Sequence, residues 1–210
     1  MSDMIKTTDY TTNCCCIRKD RRYGDHHLLY IMWRCSGGRV SRQVLSTETG
    51  IGEGSIRTAI SELVSMGLAD TARKGVGLTD AGKDLMREIN IIVPTAQPVG
   101  MVPGEFNAAA ILCGGAPLMN EFISTRDAAM MAGAEGCIPF YVVHDKCQSP
   151  FYDFMGYDYP DLDRARRSFR MVDGDAAVVC GASNLAIATM SVFAGLLDLI
   201  KSSSVEIPGL

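Results

Sequence analysis

Three groups of residues in this sequence could do chemistry. The first is sulfur and imidazole: eight cysteines and three histidines in 210 residues. Cys14, Cys15 and Cys16 are consecutive, while Cys35, Cys113, Cys137, Cys147 and Cys180 are scattered. Neither arrangement has the C-x₂-C spacing that lets two thiolates converge on one zinc. His26 and His27 are neighbours, and neighbours on a helix point apart. No metal site is therefore expected, the alternative being a sensor site that joins the two histidines to Cys14–Cys16. The second group is basic and small polar: Ser55, Arg57, Thr58 and Ser61 in one short stretch, Arg39 and Arg42 before it, and Arg73-Lys74 after it. Guanidinium groups beside short hydroxyls suit recognition of guanine edges and phosphates. The third is aromatic and acidic: Tyr152, Asp153, Tyr157 and Tyr159, which could wall a small-molecule pocket or fold as a loop onto a sheet. Gly114-Gly115-Ala116-Pro117 has none of the wording of a phosphate-binding loop, and no catalytic constellation is visible. Neither an enzyme nor a cofactor is expected.

The elements that must position these groups follow from period and punctuation. Residues 26–35 are apolar on most of their surface and end at Gly37-Gly38, a first helix. Val40, Val44 and Leu45 mark a second short helix over 40–47, and the glycines at 50, 52 and 54 break it. Ile56, Ile60, Leu63 and Val64 recur at helical spacing up to Gly67, which sits where a left-handed cap is wanted. This third helix presents Ser55, Arg57, Thr58 and Ser61 on its other side. Residues 68–72 and 76–78 read as two strands joined at Arg73-Lys74-Gly75. Thr79 then caps a fourth helix to about Ile89. Pro94 and Pro98 mark a boundary, with residues 90–98 as linker. Beyond it, strands at 108–113, 138–143 and 176–180 alternate with helices at 126–132, 162–169 and 185–200. The expected fold is α+β: a polar extension over 1–24, a winged helix-turn-helix over 25–92, and a small α+β sandwich over 93–210.

The stretch from Gly38 to Met86 resembles MarR-type and related winged-helix regulators. The resemblance rests on Ser55, Arg57, Leu63, Gly67 and Leu68, then Leu78, Thr79 and Gly82 in an L-T-x-x-G helix start. It implies DNA binding. A helix about 11 Å across enters the major groove, with Ser55, Arg57, Thr58 and Ser61 reaching bases or phosphates. Arg73 and Lys74 would lie along the backbone or in the minor groove, and Arg39 and Arg42 would touch flanking phosphates. Over most of the chain the sequence also resembles uncharacterised archaeal proteins that join an N-terminal winged helix to a C-terminal domain of unknown function. This second resemblance rests on Gly50-Ile51-Gly52-Glu53-Gly54-Ser55 with Arg57, on Arg126-Asp127-Ala128-Ala129 and Gly133-Ala134-Glu135-Gly136, and on Asp173-Gly174-Asp175.

Charge distribution agrees with such a division of labour. The net charge is −4, yet residues 1–94 carry 13 basic against 11 acidic side chains and the remainder 7 against 13. The first part is thus the one suited to phosphates. Glu53 and Glu62 near the expected DNA face favour the alternative, a ligand-binding or assembly protein whose winged helix mediates protein contacts. The basic run Arg18, Lys19, Arg21 and Arg22 reads as a solvated arm. With no secretory signal or membrane-spanning run in the sequence, a cytoplasmic location with free thiols is expected. The expected partners are double-stranded DNA, a second copy of the chain and an unidentified small-molecule effector. Dimerisation is expected because one small winged helix covers little DNA, and two half-sites roughly 34 Å apart multiply the contact.

Overall fold

A computed structural model of the chain describes residues 21–95, 100–149 and 160–203. Tyr152, Asp153, Tyr157, Tyr159 and Cys14–Cys16 lie outside the described residues. Helix α1 (Asp25–Ser36) begins at Gly24, whose amide donates to His27 Nδ1 at 3.1 Å. Helix α2 (Arg42–Thr49) is capped by the Ser41 hydroxyl and closed by Gly50 at φ 73°. Helix α3 (Glu53–Ser65) follows after three residues and ends at Met66, with Gly67 at φ 73° completing the left-handed turn expected there. Strands β1 (Ala69–Ala72) and β2 (Gly75–Leu78) form an antiparallel hairpin. Thr79 accepts the Gly82 amide at 3.1 Å and caps α4 (Asp80–Ile89).

The remaining elements build an antiparallel five-stranded sheet of order β3-β4-β7-β5-β6. Its strands are β3 (Ile91–Ile92), β4 (Phe106–Leu112), β5 (Gly136–Val143), β6 (Lys146–Gln148) and β7 (Ala176–Ala182). A 3₁₀ turn (Ala116–Glu121) leads into α5 (Phe122–Met131), and α6 (Pro160–Phe169) and α7 (Leu185–Lys201) complete the described elements. The architecture is mixed α+β with two antiparallel sheets. Every residue of central β7 is buried, so its sequence AAVVCGA runs apolar and small without alternation, as a strand covered on both faces must. Val178 and Cys180 face the layer that contains α7, while Ala177 and Val179 pack with Leu162, Ala165 and Phe169 of α6. Pro139 is accommodated in β5 because β6 reaches only as far as Tyr141, so the proline's missing amide interrupts no ladder on that side.

One feature differs from the sequence expectation. Residues 90–98 do not begin as a linker: Asn90, at φ 51°, ends α4 and turns the chain so that Ile91 and Ile92 pair with Leu112 and Ile111 at the sheet edge. An asparagine tolerates that backbone, and a two-residue strand leaves no periodicity to read. Residues 144–147 complete a hairpin, with His144 and Asp145 both at positive φ between β5 and β6.

One apolar core joins the two regions. It runs from α1 through α4, across α7, and into one face of the five-stranded sheet. The Phe193 ring meets Tyr30 edge-on at 5.1 Å and Trp33 at 5.5 Å, tying α7 to α1. Polar contacts reinforce the first region. Glu48 of α2 accepts from Tyr30 Oη and from Arg34 Nε, each at 3.0 Å.

Candidate nucleic-acid interface

Helix α3 buries Ile56, Ala59, Ile60 and Leu63, which commits its opposite side to solvent. Gly54, Thr58, Ser61 and Ser65 recur there at i, i+4, i+7 and i+11 and are exposed. The hydroxyls of Thr58, Ser61 and Ser65 donate to carbonyls of their own helix, at 3.1, 3.0 and 2.7 Å. Their oxygens keep lone pairs directed outward. Arg57 is exposed on one flank of this stripe, and Ser55 is half-buried on the other. The structure therefore places Ser55, Arg57, Thr58 and Ser61 around the outward side of one helix.

The other basic residues divide. Arg42 on α2 and Arg73-Lys74 at the β1–β2 tip are exposed and join no ion pair among the described residues. Arg39 is engaged: it pairs with Asp70 at 2.6 Å and donates to the Gly75 carbonyl at 3.1 Å. Its contacts fasten the hairpin, as does the reciprocal pairing of Val40 with Val76, 2.9 Å in each direction. Gly75, at φ 117°, is required at this point. A Cβ there would lie 2.3 Å from the Val40 carbonyl oxygen.

Sequence reasoning missed the part played by Arg21 and Tyr23. Both reach across to α3: Arg21 pairs with Glu62, and Tyr23 Oη donates to the same carboxylate at 2.8 Å. Arg21 also pairs with Asp25 at 3.0 Å, and Asp25 in turn meets Lys201 of α7 at 3.4 Å. This chain of charges connects the end of α7 to the flank of α3. Only the run of basic residues was visible beforehand, and nothing local marks Glu62 as their partner. Between residues 21–23 and the outward side of α3 lies a cleft of about 700 Å³, lined by Arg21, Arg22, Ser55, Thr58, Ser61 and Ser65 among others.

A second cleft of about 360 Å³ opens behind the same segment, between His26, His27 and the α5 residues Ala128 and Met131. The two imidazoles stand 4.2 Å apart. Burial, aided by the neighbouring ring, holds His26 down at about 3, and burial holds His27 down at about 4. Both rings are neutral at pH 7, in keeping with His27 Nδ1 accepting the Gly24 amide. No group of three or more metal-ligating side chains occurs among the described residues. Cys137 and Cys180, far apart in sequence, are directly opposed on β5 and β7, and burial, with the Cys137 thiol beside it, raises Cys180 well above its ordinary value. Among the described residues no helix is long and apolar enough to cross a membrane.

Residues 102–199 match the model of a family described as a domain of unknown function, DUF4443. The match begins ahead of β4 and ends within α7, so it covers the five-stranded sheet except β3. No curated protein matches the chain. Among solved structures, a hypothetical protein from Pyrococcus horikoshii OT3, PH0730, is similar, with a TM-score of 0.60 and 22% identity. The match spans 85% of this chain and 94% of that one, so the likeness of fold extends well beyond the DUF4443 segment.

Proposed function

We propose that the region from α1 to α4 is a winged helix-turn-helix of the MarR-like kind and that the chain is a DNA-binding transcriptional regulator. The observation that carries this reading is the outward side of α3. It has small hydroxyl-bearing residues along its centre and an exposed Arg57 at its flank. Such a surface admits base edges to within hydrogen-bonding range, while Arg57 supplies a bidentate donor. Arg42 on α2 and Arg73-Lys74 at the hairpin tip supply phosphate contacts that add affinity without sequence preference. In this reading the β1–β2 hairpin is the wing and Arg39 its fastening.

Two details favour DNA over a protein partner. Glu62, the acid on the flank of α3, is neutralised by Arg21, so the face carries less negative charge than its sequence suggests. Arg42, Arg57, Arg73 and Lys74 keep their donors toward solvent. The sheet domain is proposed to sense an effector or to pair two copies of the chain, and the route from α7 through Lys201, Asp25 and Arg21 to Glu62 is how its state would reach α3. Selection from a random duplex pool at low salt, followed by binding measurements on the selected duplexes, tests the reading. Arg57→Ala is expected to lose about tenfold or more on selected duplexes, the scale of one bidentate base contact, and little on random DNA. Failure of the parent chain to retain any duplex at low salt overturns the reading.

A further inference from the structure

We infer that the cleft of about 360 Å³ behind residues 21–24 is a binding site for a small uncharged organic molecule, an apolar body carrying one hydroxyl or N–H, and that its occupant is felt at α3. The binding stands apart from the proposed function, and only its effect on DNA rests on the reading of α3 as the DNA-facing helix. The cleft lies where three elements meet. Gly24 and His26 come from the start of α1, Ala128 and Met131 from α5, and Ala194 from α7. The alanines at 128 and 194, with Ala132 just beyond α5, leave space that longer side chains would fill. Met131 is 67% exposed, so apolar surface remains for an occupant to cover. The volume falls in the range of small-molecule sites, about 300–1,000 Å³.

The polar lining fixes the class of molecule. His26 Nδ1 is buried and has no hydrogen-bond partner among the described residues, an uncommon condition that a donor on a bound molecule would relieve. Gly24, which also lines the cleft, lies beside it: a Cβ there would stand 2.8 Å from this nitrogen. The nitrogen is thus at the wall of the cleft. His27 is already engaged, because its Nδ1 accepts the Gly24 amide. Burial keeps both imidazoles neutral at pH 7, and the same carbon-lined surroundings disfavour an ionic guest. Arg21 offers no uncompensated charge, since Asp25 and Glu62 hold it, and exposed Arg22 stays in water. Residues 21–23 line both this cleft and the one beside α3. Arg21 and Tyr23 hold Glu62 of α3, so a molecule that presses on the segment from behind alters the contacts of α3.

The test adds p-cresol, and p-toluate as its charged counterpart, to the full chain carrying nitrogen-labelled histidine, and follows the ring nitrogens by nuclear magnetic resonance in the absence of DNA. The expected result is a saturable shift of the His26 ring by p-cresol, with a dissociation constant of about 1 mM or tighter. p-Toluate should bind about tenfold more weakly or worse. Ala128→Phe, melting as the parent does, should lose about tenfold or more in affinity for p-cresol, and Ala132→Leu fills the same space if the phenylalanine variant does not fold. No saturable shift, or unchanged affinity in a folded filled variant, overturns the site, and p-toluate binding as tightly overturns the uncharged class. Affinity of the parent chain for a random-sequence duplex should change about fivefold or more on saturation with p-cresol. An unchanged affinity overturns the coupling to α3 and leaves the site. A parent chain that binds no duplex defeats the reading of α3, while the site stands or falls on the histidine spectra alone.

Discussion

Acid should destabilise this fold through His27, and the size of the effect follows from its position at the start of α1. The imidazole titrates near 6.5 in an unfolded chain and near 4 in the folded one, because burial disfavours the charged ring. Protonation also abolishes the acceptor that Nδ1 offers to the Gly24 amide. The sign is that of any group whose folded value is depressed. Its contribution to stability is complete above about pH 6.5 and is lost as pH falls toward 4, since the unfolded chain takes up the proton first. At about pH 4.5 the unfolded ring is almost wholly protonated and the folded ring only partly, a difference of roughly 2 to 3 kcal/mol. That is a sizeable part of a typical domain stability of about 5–15 kcal/mol. His27→Gln isolates the effect. Glutamine at the third helical position can accept the same amide, as in a capping box, but does not titrate. Guanidinium unfolding followed by circular dichroism at about pH 7 and about pH 4.5 should show the variant losing roughly 2 to 3 kcal/mol less than the parent, because the carboxylate contributions are shared and cancel. An equal loss in both proteins would refute the reasoning.

Gly82→Ala should destabilise the chain by about 1–3 kcal/mol even though alanine is the better helix former by about 1 kcal/mol. A Cβ at this position would stand 2.1 Å from the Leu68 carbonyl oxygen, so α4 and the start of the hairpin must separate. A more stable variant in urea unfolding would show that the approach is not close. Phe193→Ala should cost about 3–5 kcal/mol, because the ring is fully buried between Tyr30 and Trp33. Calorimetry should show that loss as one cooperative transition, and two separated transitions in the parent protein would refute a shared core.

Local patterns carried a large part of the architecture. The apolar period of α3, the cap at Thr79 and the turns at Gly67, Gly133 and Gly174, all three at positive φ, are written within a few consecutive residues. So are the three strands β4, β5 and β7, whose apolar runs stand between clear breaks. Helical periodicity also separated the buried side of α3 from Thr58 and Ser61 before any tertiary contact was known.

Tertiary structure decided how distant segments meet. That Glu62 holds Arg21 and Tyr23, that Arg39 turns to Asp70, that Cys137 opposes Cys180, and that Phe193 closes against α1 are contacts between residues far apart along the chain. Spacing rules operate over one or two helical turns or along one strand and carry no information about which surfaces come together. By itself, therefore, the sequence determined most of the elements, β3 and β6 apart, and the polar side of α3. The setting of that side, with an anchored basic segment along its flank and a core continuous with the sheet, arose only from packing, because burying apolar surface selects partners by shape rather than by position in the chain.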